Sequence, residues 1–283
     1  MQGGDCSEVG TLVRLADNGE FAILLTWEGP MVTRVLFLIY GVVAYLLFLA
    51  TFLYAIAFVG GFAPRAIDGP PVSPFWTALA VDLVLLTIFA VQHSVMARPW
   101  FKRWWTQTVP YAVERSTYVL CASLALDLMF WQWQPLGGVV WHVEHPVARG
   151  LVWALFAAGW LQVLVMTFYI NHFDLFGLRQ VWLYAMNRHY TRVDFVSPAP
   201  YRVVRHPLYL GFIIAFWAAP TMTVTHLVFA LVTTAYIVVA IQFEEHDLVH
   251  EHGRSYEEYR RHVPMLIPGA GGRASAPAEV KRV

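Results

Sequence analysis

The sequence predicts an all-α, polytopic membrane protein: a bundle of about six transmembrane helices, the last two forming a helical hairpin, with the N- and C-termini in the cytoplasm. Three observations support this fold class. The chain has 283 residues, of which 58% are hydrophobic and only 13% are charged, about half the charged fraction of a typical soluble domain. Its apolar residues fall into six runs. Its lysines and arginines concentrate in alternate connections between those runs.

The first 33 residues form a polar N-terminal extension ahead of the first run. A secretory signal needs a basic start and an early apolar core. This segment has one early arginine, Arg14, and five acidic residues: Asp5, Glu8, Asp17, Glu20 and Glu28. We therefore interpret residues 1–33 as a weakly structured extension and not as a signal peptide.

Six apolar runs follow this extension. A helix needs about 20 apolar residues to cross the hydrocarbon layer, and the clearest candidates are 35–59, 75–96, 117–133, 150–170 and 223–243. The sixth run, 205–220, has about 16 residues, or roughly 24 Å of helix. That is short for a hydrocarbon core of ~30 Å. The segment 220–223 leaves room only for a turn before the last run, which predicts the hairpin.

The distribution of basic residues predicts the orientation, because cytoplasmic loops are enriched in lysine and arginine. Three segments carry most of these residues: the connections 97–116 and 171–205, and the tail after the last run. The alternate connections hold only Arg65 and Arg149. Six spans with both ends in the cytoplasm satisfy every connection.

Four polar clusters lie at the predicted cytoplasmic ends of these runs. They are His93; Asn171 with His172 and Asp174; Arg205 with His206; and Glu244 with Glu245. Ionisable groups at membrane depth are costly and usually face a cavity or a partner. We therefore expect one polar pocket that opens to the cytoplasm. Taken singly, Arg205 is equally well explained as an interfacial anchor and His93 as a satisfied interfacial histidine.

Two of these clusters have complementary charge. Arg205 and His206 precede Pro207, which suits the first turn of a helix, and free N–H groups beside a guanidinium favour a carboxylate. Glu244 and Glu245 end a helix against the preference of its dipole, so they need a cation or a ligand. A cationic group facing an anionic group fits the zwitterionic end of an amino acid, as in S-adenosylmethionine.

Other site types find little support in the sequence. A net charge of zero disfavours a nucleic-acid-binding surface. Cys6 and Cys121 form no CxxC pair, so neither a disulfide framework nor a cysteine zinc site is predicted. His246 and His250 share a helical face, but Arg254 stands where an HExxH motif needs its second histidine. We predict no metal site and a solvated amphipathic helix there.

The C-terminal motifs resemble those of a known membrane-protein family. The signature residues are Arg205, His206, Pro207, Tyr209, Gly211, Glu244, Glu245, Leu248, Gly253, Tyr256 and Tyr259. This pattern is similar to that of the isoprenylcysteine carboxyl methyltransferase and phospholipid methyltransferase group, which uses S-adenosylmethionine. Upstream, "QHSVMARPWFKRWW", "ERSTYVL" and "INHFDLFGLRQV" resemble its bacterial branch of thiol S-methyltransferases and NnrU-type proteins. The resemblance runs from about residue 35 to 268.

The resemblance implies a domain organisation and a setting. A membrane methyltransferase domain would cover 34–268, with a cofactor pocket formed mainly by 201–262, followed by a disordered tail, 269–283. The enzyme would lie in the bilayer of the bacterial inner (cytoplasmic) membrane with its active site facing the cytoplasm. The substrate would be a small volatile thiol, and the oligomeric state is not predicted.

The same resemblance implies roles for individual residues. Arg205 and His206 would hold the cofactor's carboxylate, while Glu244 and Glu245 would hold its amino group or ribose. Tyr209, Tyr256 and Tyr259 would pack on the adenosine, and Pro207 and Gly211 would complete the cofactor-binding residues. A thiolate is the nucleophile, so a base is needed. His172 and His93 are the candidates because histidine titrates near neutral pH. Asp174 would orient His172 if the helix ends there.

Three alternatives remain open at this point. The same architecture could methylate a prenylcysteine or a phospholipid. Membrane sterol reductases, which use a nicotinamide cofactor, have a similar C-terminal end. A non-enzymatic NnrU-like accessory protein or a haem-binding bundle would use His93 and His172 as structural residues or ligands.

Overall fold

The computed structural model describes residues 30–191 and 199–269. The elements, in chain order, are α1 (Met31–Val59), α2 (Phe75–Ala97), α3 (Pro99–Trp105), α4 (Tyr111–Gln132), β1 (Val139–His142), α5 (Pro146–Ile170), α6 (His172–Leu175), α7 (Leu178–Ala185), a 3₁₀ turn (Ala199–Arg202), α8 (Pro207–Trp217), β2 (Thr221–Thr223), α9 (Val224–His252) and α10 (Arg254–His262). Most of the predicted extension and almost all of the predicted tail lie outside the described residues.

A helix forms at each of the six predicted runs. Four of them, α1, α2, α5 and α9, are long and apolar enough to cross a membrane. The other two differ from a typical span. Helix α4 carries Glu114, Arg115 and Asp127, and α8 has only 11 residues. Helix α1 begins at Met31, directly after Pro30, so its first turn lies within the last residues of the predicted extension.

The all-α prediction needs one correction, because a small antiparallel sheet closes one end of the bundle. Strands β1 and β2 pair Val139 with Thr223 and His142 with Thr221. The segment 220–223 is therefore a strand and not only a turn. The sheet is anchored by the Trp141 indole, which donates to the Ala219 carbonyl at 3.1 Å, and by the Thr223 hydroxyl, which donates to Asp68. The valines and tryptophan of β1 and the threonines of β2 are of the β-branched and aromatic types that favour strands.

Helices α5 and α8 run antiparallel and approach each other through small residues. A Cβ placed on Gly159 would lie 2.8 Å from the Gly211 carbonyl oxygen and 2.7 Å from the Ala215 amide nitrogen. Gly159 and Gly211 therefore allow two backbones to pack directly, as small residues do between membrane helices. At the start of α8, the Gln162 amide donates to the Pro207 carbonyl at 2.7 Å.

The opposite end of the bundle, which we call the polar end, is where α5 and α9 end and α8 begins. Helix α2 ends there too, since Arg98 pairs with Asp247 of α9 at 2.9 Å. The chain after α10 folds back onto the start of α8: the amides of Arg205 and His206 donate to the carbonyls of Pro264 and Met265 at 2.8 and 3.2 Å. The fold thus gathers the polar clusters of the sequence at one end.

Candidate active site

A buried ion-pair network joins the start of α8 to α9. The Arg205 Nε donates to Glu245 Oε1 at 2.7 Å, and His206 Nε2 lies 3.0 Å from the same oxygen. The side chains of Arg205 and Glu245 are only 10% and 6% exposed. Since an unpaired buried charge is strongly unfavourable, each group requires the other. Of the two acids that the sequence predicts to meet this guanidinium, Glu245 is the one that contacts it.

Helix α10 completes this network from a third side. Gly253 separates α9 from α10 with φ of 54°, a left-handed conformation that glycine adopts without steric penalty. The turn brings Arg260 Nη1 to 3.8 Å from Glu245 Oε2. Arg205 Nη1 in turn donates to the carbonyls of Arg260 and Val263 at 2.8 and 2.7 Å. Within the described residues, Nη2 is the guanidinium nitrogen of Arg205 that is left without a bond.

The two neighbouring acids have different surroundings. Glu245 is buried and bonded inside the protein, whereas the Glu244 side chain is 43% exposed. Its Oε2 accepts a hydrogen bond from the Tyr209 hydroxyl at 3.0 Å. Burial, and secondly the charge on Glu244, raise the pKa of the Tyr201 phenol. Glu244 is therefore the carboxylate that can meet a ligand, and Glu245 is the internal counter-ion.

The other residues of the C-terminal signature divide between packing and site. Gly211 lies in the α5–α8 crossing against Gly159, a helix-packing position. Pro207 is the first residue of α8. Tyr256 is buried beside Glu245, and burial first and that charge second raise its pKa. The Tyr259 hydroxyl donates to the Tyr201 carbonyl at 2.6 Å.

His172 follows α5 directly and is buried, 5% exposed. Its Nε2 lies 2.8 Å from the Tyr45 hydroxyl, and its Nδ1 lies 2.8 Å from the Thr167 hydroxyl. The ring stacks on Phe168, with centroids 4.3 Å apart and planes 7° apart. Burial lowers the pKa of His172 below its ordinary value. The imidazole is therefore neutral at neutral pH.

The predicted orientation of His172 by Asp174 is wrong. Asp174 Oδ1 accepts from Arg179 at 3.0 Å, and Oδ2 accepts from the Tyr190 hydroxyl at 3.2 Å. Both residues lie in the short helix α6, where side chains two positions apart point in different directions. Burial, reinforced by the Asp174 charge, raises the pKa of Tyr190 to about 12. Asp174 thus ties α6 to the segment after α7, and His172 is oriented by Tyr45 and Thr167.

His93 lies in a second aromatic cluster at the polar end, next to α4 and α9. The Tyr118 hydroxyl is 3.0 Å from both ring nitrogens of His93, so it is equally close to each of them. Neighbouring Ser94 lies 3.0 Å from the Tyr236 hydroxyl of α9. No single tautomer of His93 is selected by this contact, in contrast to His172.

One open cleft lies away from these residues. It measures about 690 Å³ and is lined by residues near the end of α1 and the start of α5, including Arg149 and Trp153. Trp153 precedes His172 by 19 residues, which is roughly 28 Å along a helix. A smaller cleft of about 240 Å³ is lined by Val165, Phe168 and Tyr169. Because Phe168 also stacks on His172, this smaller cleft is the one that borders the polar end.

Sequence reasoning missed four residues that the structure adds to these clusters. Tyr45 and Thr167 bind His172, Arg260 approaches Glu245, and Tyr201 faces Glu244. Tyr45 and Thr167 sit inside apolar runs, where a hydroxyl is usually satisfied by its own helix. Only Arg260 carried a signal, since it lies one residue beyond the "YEEY" of the C-terminal motif.

Comparison with known proteins finds relatives that cover most of the chain. It is 55% identical to a methanethiol S-methyltransferase of Crocosphaera subtropica over 247 residues, covering 87% of this chain and 97% of the relative. It is also 55% identical to a methanethiol S-methyltransferase of Mycobacterium tuberculosis over 236 residues, covering 83% and 97%. Nurim of Mus musculus is 32% identical over 180 residues, covering 60% and 68%. No family model and no solved structure match the chain.

Proposed function

Because the chain belongs to the methanethiol S-methyltransferase family, we propose that it methylates methanethiol to dimethyl sulfide at the polar end of its bundle, with S-adenosylmethionine as the methyl donor. Family membership makes the chain a methyltransferase enzyme, and its apolar helices make it a membrane protein. The reductase and haem-binding alternatives are therefore not retained. A methyl donor is required by the reaction, and its identity is part of the proposal.

The proposal rests on the charged side chains around Glu245: some are bonded inside the protein, and others are open to a ligand. The Arg205 Nη2 and the half-exposed guanidinium of Arg260 are available to a carboxylate. Glu244, 43% exposed, is available to an ammonium group or to ribose hydroxyls. This donor set matches the amino-acid end of S-adenosylmethionine, which supplies a methyl group bonded to a positively charged sulfur. Glu245 and His206 would keep the cationic residues in place.

The remaining requirement is a reactive thiol in the correct position. Holding the thiol against the methyl donor contributes much of the rate in reactions of this kind, and the thiolate is the form that attacks. His172 is the better candidate base, because its neutral ring is held in one orientation by two hydrogen bonds. His93 is the second candidate. The relatives that cover most of the chain are named for methanethiol, which favours a small thiol over a prenylcysteine or a phospholipid.

A headspace assay tests the proposal directly. Membranes containing the protein should release dimethyl sulfide when given methanethiol and S-adenosylmethionine, and membranes lacking it should not.

Glu244→Gln should weaken S-adenosylmethionine binding by at least about tenfold, since it removes one charged contact of about 1.5–3 kcal/mol. Glu258→Gln, an exposed acid on α10, is the matched control and should bind normally in calorimetry. Methylation of a prenylcysteine or a phospholipid without dimethyl sulfide would contradict the proposed substrate.

A further inference from the structure

We propose that Tyr45 is a further catalytic residue, which takes the proton of the thiol while it passes its own phenolic proton to His172. The inference rests on the proposed function and adds a residue from α1 to a site otherwise formed by α5, α6, α8, α9 and α10. It starts from the two hydrogen bonds that hold the His172 ring.

The Thr167 hydroxyl determines which nitrogen of His172 carries the proton. That hydroxyl donates its one hydrogen to the Leu164 carbonyl at 2.6 Å. It must therefore accept a hydrogen bond from His172 Nδ1, 2.8 Å away, because a hydroxyl has a single donor. In the neutral imidazole Nε2 is then unprotonated. It accepts from the Tyr45 hydroxyl at 2.8 Å, which leaves the lone pairs of the Tyr45 oxygen available.

The side chains packed around the His172 ring bring no competing charge to the pair. Phe168, Phe173 and Phe176 pack around the His172 ring and carry no titratable group. The titratable group of α1 that faces the His172 ring is Tyr45. In α6, Asp174 is already paired with Arg179. Burial lowers the pKa of His172, so the ring is unprotonated and able to accept a proton at neutral pH.

The pair lies at the same end of the bundle as the ion-pair network. Gln162 of α5 bonds to Pro207, the first residue of α8. Thr167 lies five residues further along α5, roughly 7.5 Å beyond that level, and Arg205 precedes Pro207 in the same direction. Tyr45 is half-buried, and its ring faces Phe48 and Phe176 at centroid distances of 6.1 and 6.4 Å. Sulfur makes favourable contacts with aromatic rings, so this environment suits a small thiol.

The step conserves atoms and charge. The S–H proton of methanethiol moves to the Tyr45 oxygen, and the phenolic proton of Tyr45 moves to His172 Nε2. The electron pair of the S–H bond stays on sulfur and forms the new bond to the methyl carbon. The bond between that carbon and the sulfonium donor breaks, and its electron pair goes to the donor sulfur. The imidazolium returns its proton to water when the product leaves.

The test is the pH dependence of Tyr45→Phe, with Tyr40→Phe as the matched control. Tyr40 lies on the same helix and bonds Thr117 of α4 at 3.0 Å, so its variant loses one comparable hydrogen bond. At pH 7, Tyr45→Phe should lower kcat for methanethiol roughly 100-fold, the usual scale of general base catalysis. The deficit should shrink as pH rises towards 10, because solvent then supplies the thiolate. Tyr40→Phe should follow the wild type at every pH.

Binding measurements separate this role from a structural one. Both tyrosine variants should bind S-adenosylmethionine as the wild type does in calorimetry. A Tyr45→Phe deficit that is absent, or that stays constant from pH 6 to 10, would overturn the relay. If Tyr45→Phe does not fold, His172→Gln takes its place and must show the same recovery at high pH. A wild type that binds the donor but releases no dimethyl sulfide would instead contradict the proposed function.

Discussion

At the scale of single residues, the site is organised around one carboxylate. Glu245 Oε1 is within hydrogen-bond distance of both Arg205 Nε and His206 Nε2, and its Oε2 faces Arg260 Nη1. Its neighbour Glu244 makes one hydrogen bond, to Tyr209, and is far more exposed. Two adjacent residues of identical chemistry therefore have different roles: one holds the cationic side chains in place and the other is accessible to a ligand.

This division predicts different outcomes for the two amide substitutions. Glu245→Gln leaves the buried Arg205 without its counter-charge, which typically costs about 3–5 kcal/mol, so the midpoint of thermal unfolding in detergent should fall clearly. Glu244→Gln removes a half-exposed charge and should leave that midpoint nearly unchanged while weakening donor binding. Equal loss of thermal stability in both variants would contradict the assignment of Glu245 as the internal counter-ion.

At the scale of elements, the short helix α8 depends on its close approach to α5. Eleven residues give roughly 16 Å of helix, about half of the hydrocarbon thickness. Gly159 and Gly211 let α8 pack against α5 backbone to backbone, and the β1–β2 sheet covers the end of α8 away from the site. The position of Arg205 at the start of α8 is therefore determined by a helix crossing some turns away.

Substitution of the crossing glycine tests this dependence. In Gly211→Ala the new Cβ would lie 2.9 Å from the Gly159 carbonyl oxygen and 3.0 Å from a methyl group of Val163. Overpacking of this kind costs about 1–3 kcal/mol, and displacement of α8 should also weaken donor binding. Gly150→Ala is the control, because nothing lies within 4 Å of its Cβ and alanine favours helix over glycine by about 1 kcal/mol. The thermal midpoints should move in opposite directions, and a loss in both would refute the argument.

At the scale of the whole molecule, the bundle separates two chemically different ends. The polar end carries the Arg205–Glu245 network and His172, and the other end carries the β1–β2 sheet and the aromatic cleft beside Trp153. Lysine and arginine concentrate in connections at the polar end, which predicts that this end faces the cytoplasm.

Sealed vesicles of known sidedness test this orientation. S-adenosylmethionine is charged and does not cross a bilayer freely, whereas methanethiol does. Inside-out vesicles should therefore produce dimethyl sulfide as soon as both compounds are added. Right-side-out vesicles should do so only after permeabilisation. The reverse pattern would place the polar end on the outer side and refute the predicted topology.

The sequence alone determined the helices and the pairing of motifs. Apolar runs form helices because the bilayer core leaves backbone groups no other partner. A helix lies at each of the six runs, and four of these helices are long and apolar enough to cross a membrane. The acids and Arg205 come together because two consecutive antiparallel helices return to the same depth. Both inferences depend on order and length along the chain, which can be read directly.

Only the tertiary structure decided which side chains meet. Tyr45 reaches His172 across 127 positions, β1 pairs with β2 across about 80, and Asp174 turns to Arg179 instead of His172. These contacts depend on the rotation of each helix about its axis and on the paths of the connecting segments. In a helix that is apolar on all sides, hydrophobic periodicity does not specify that rotation, so the partner of a buried hydroxyl or imidazole is settled by packing.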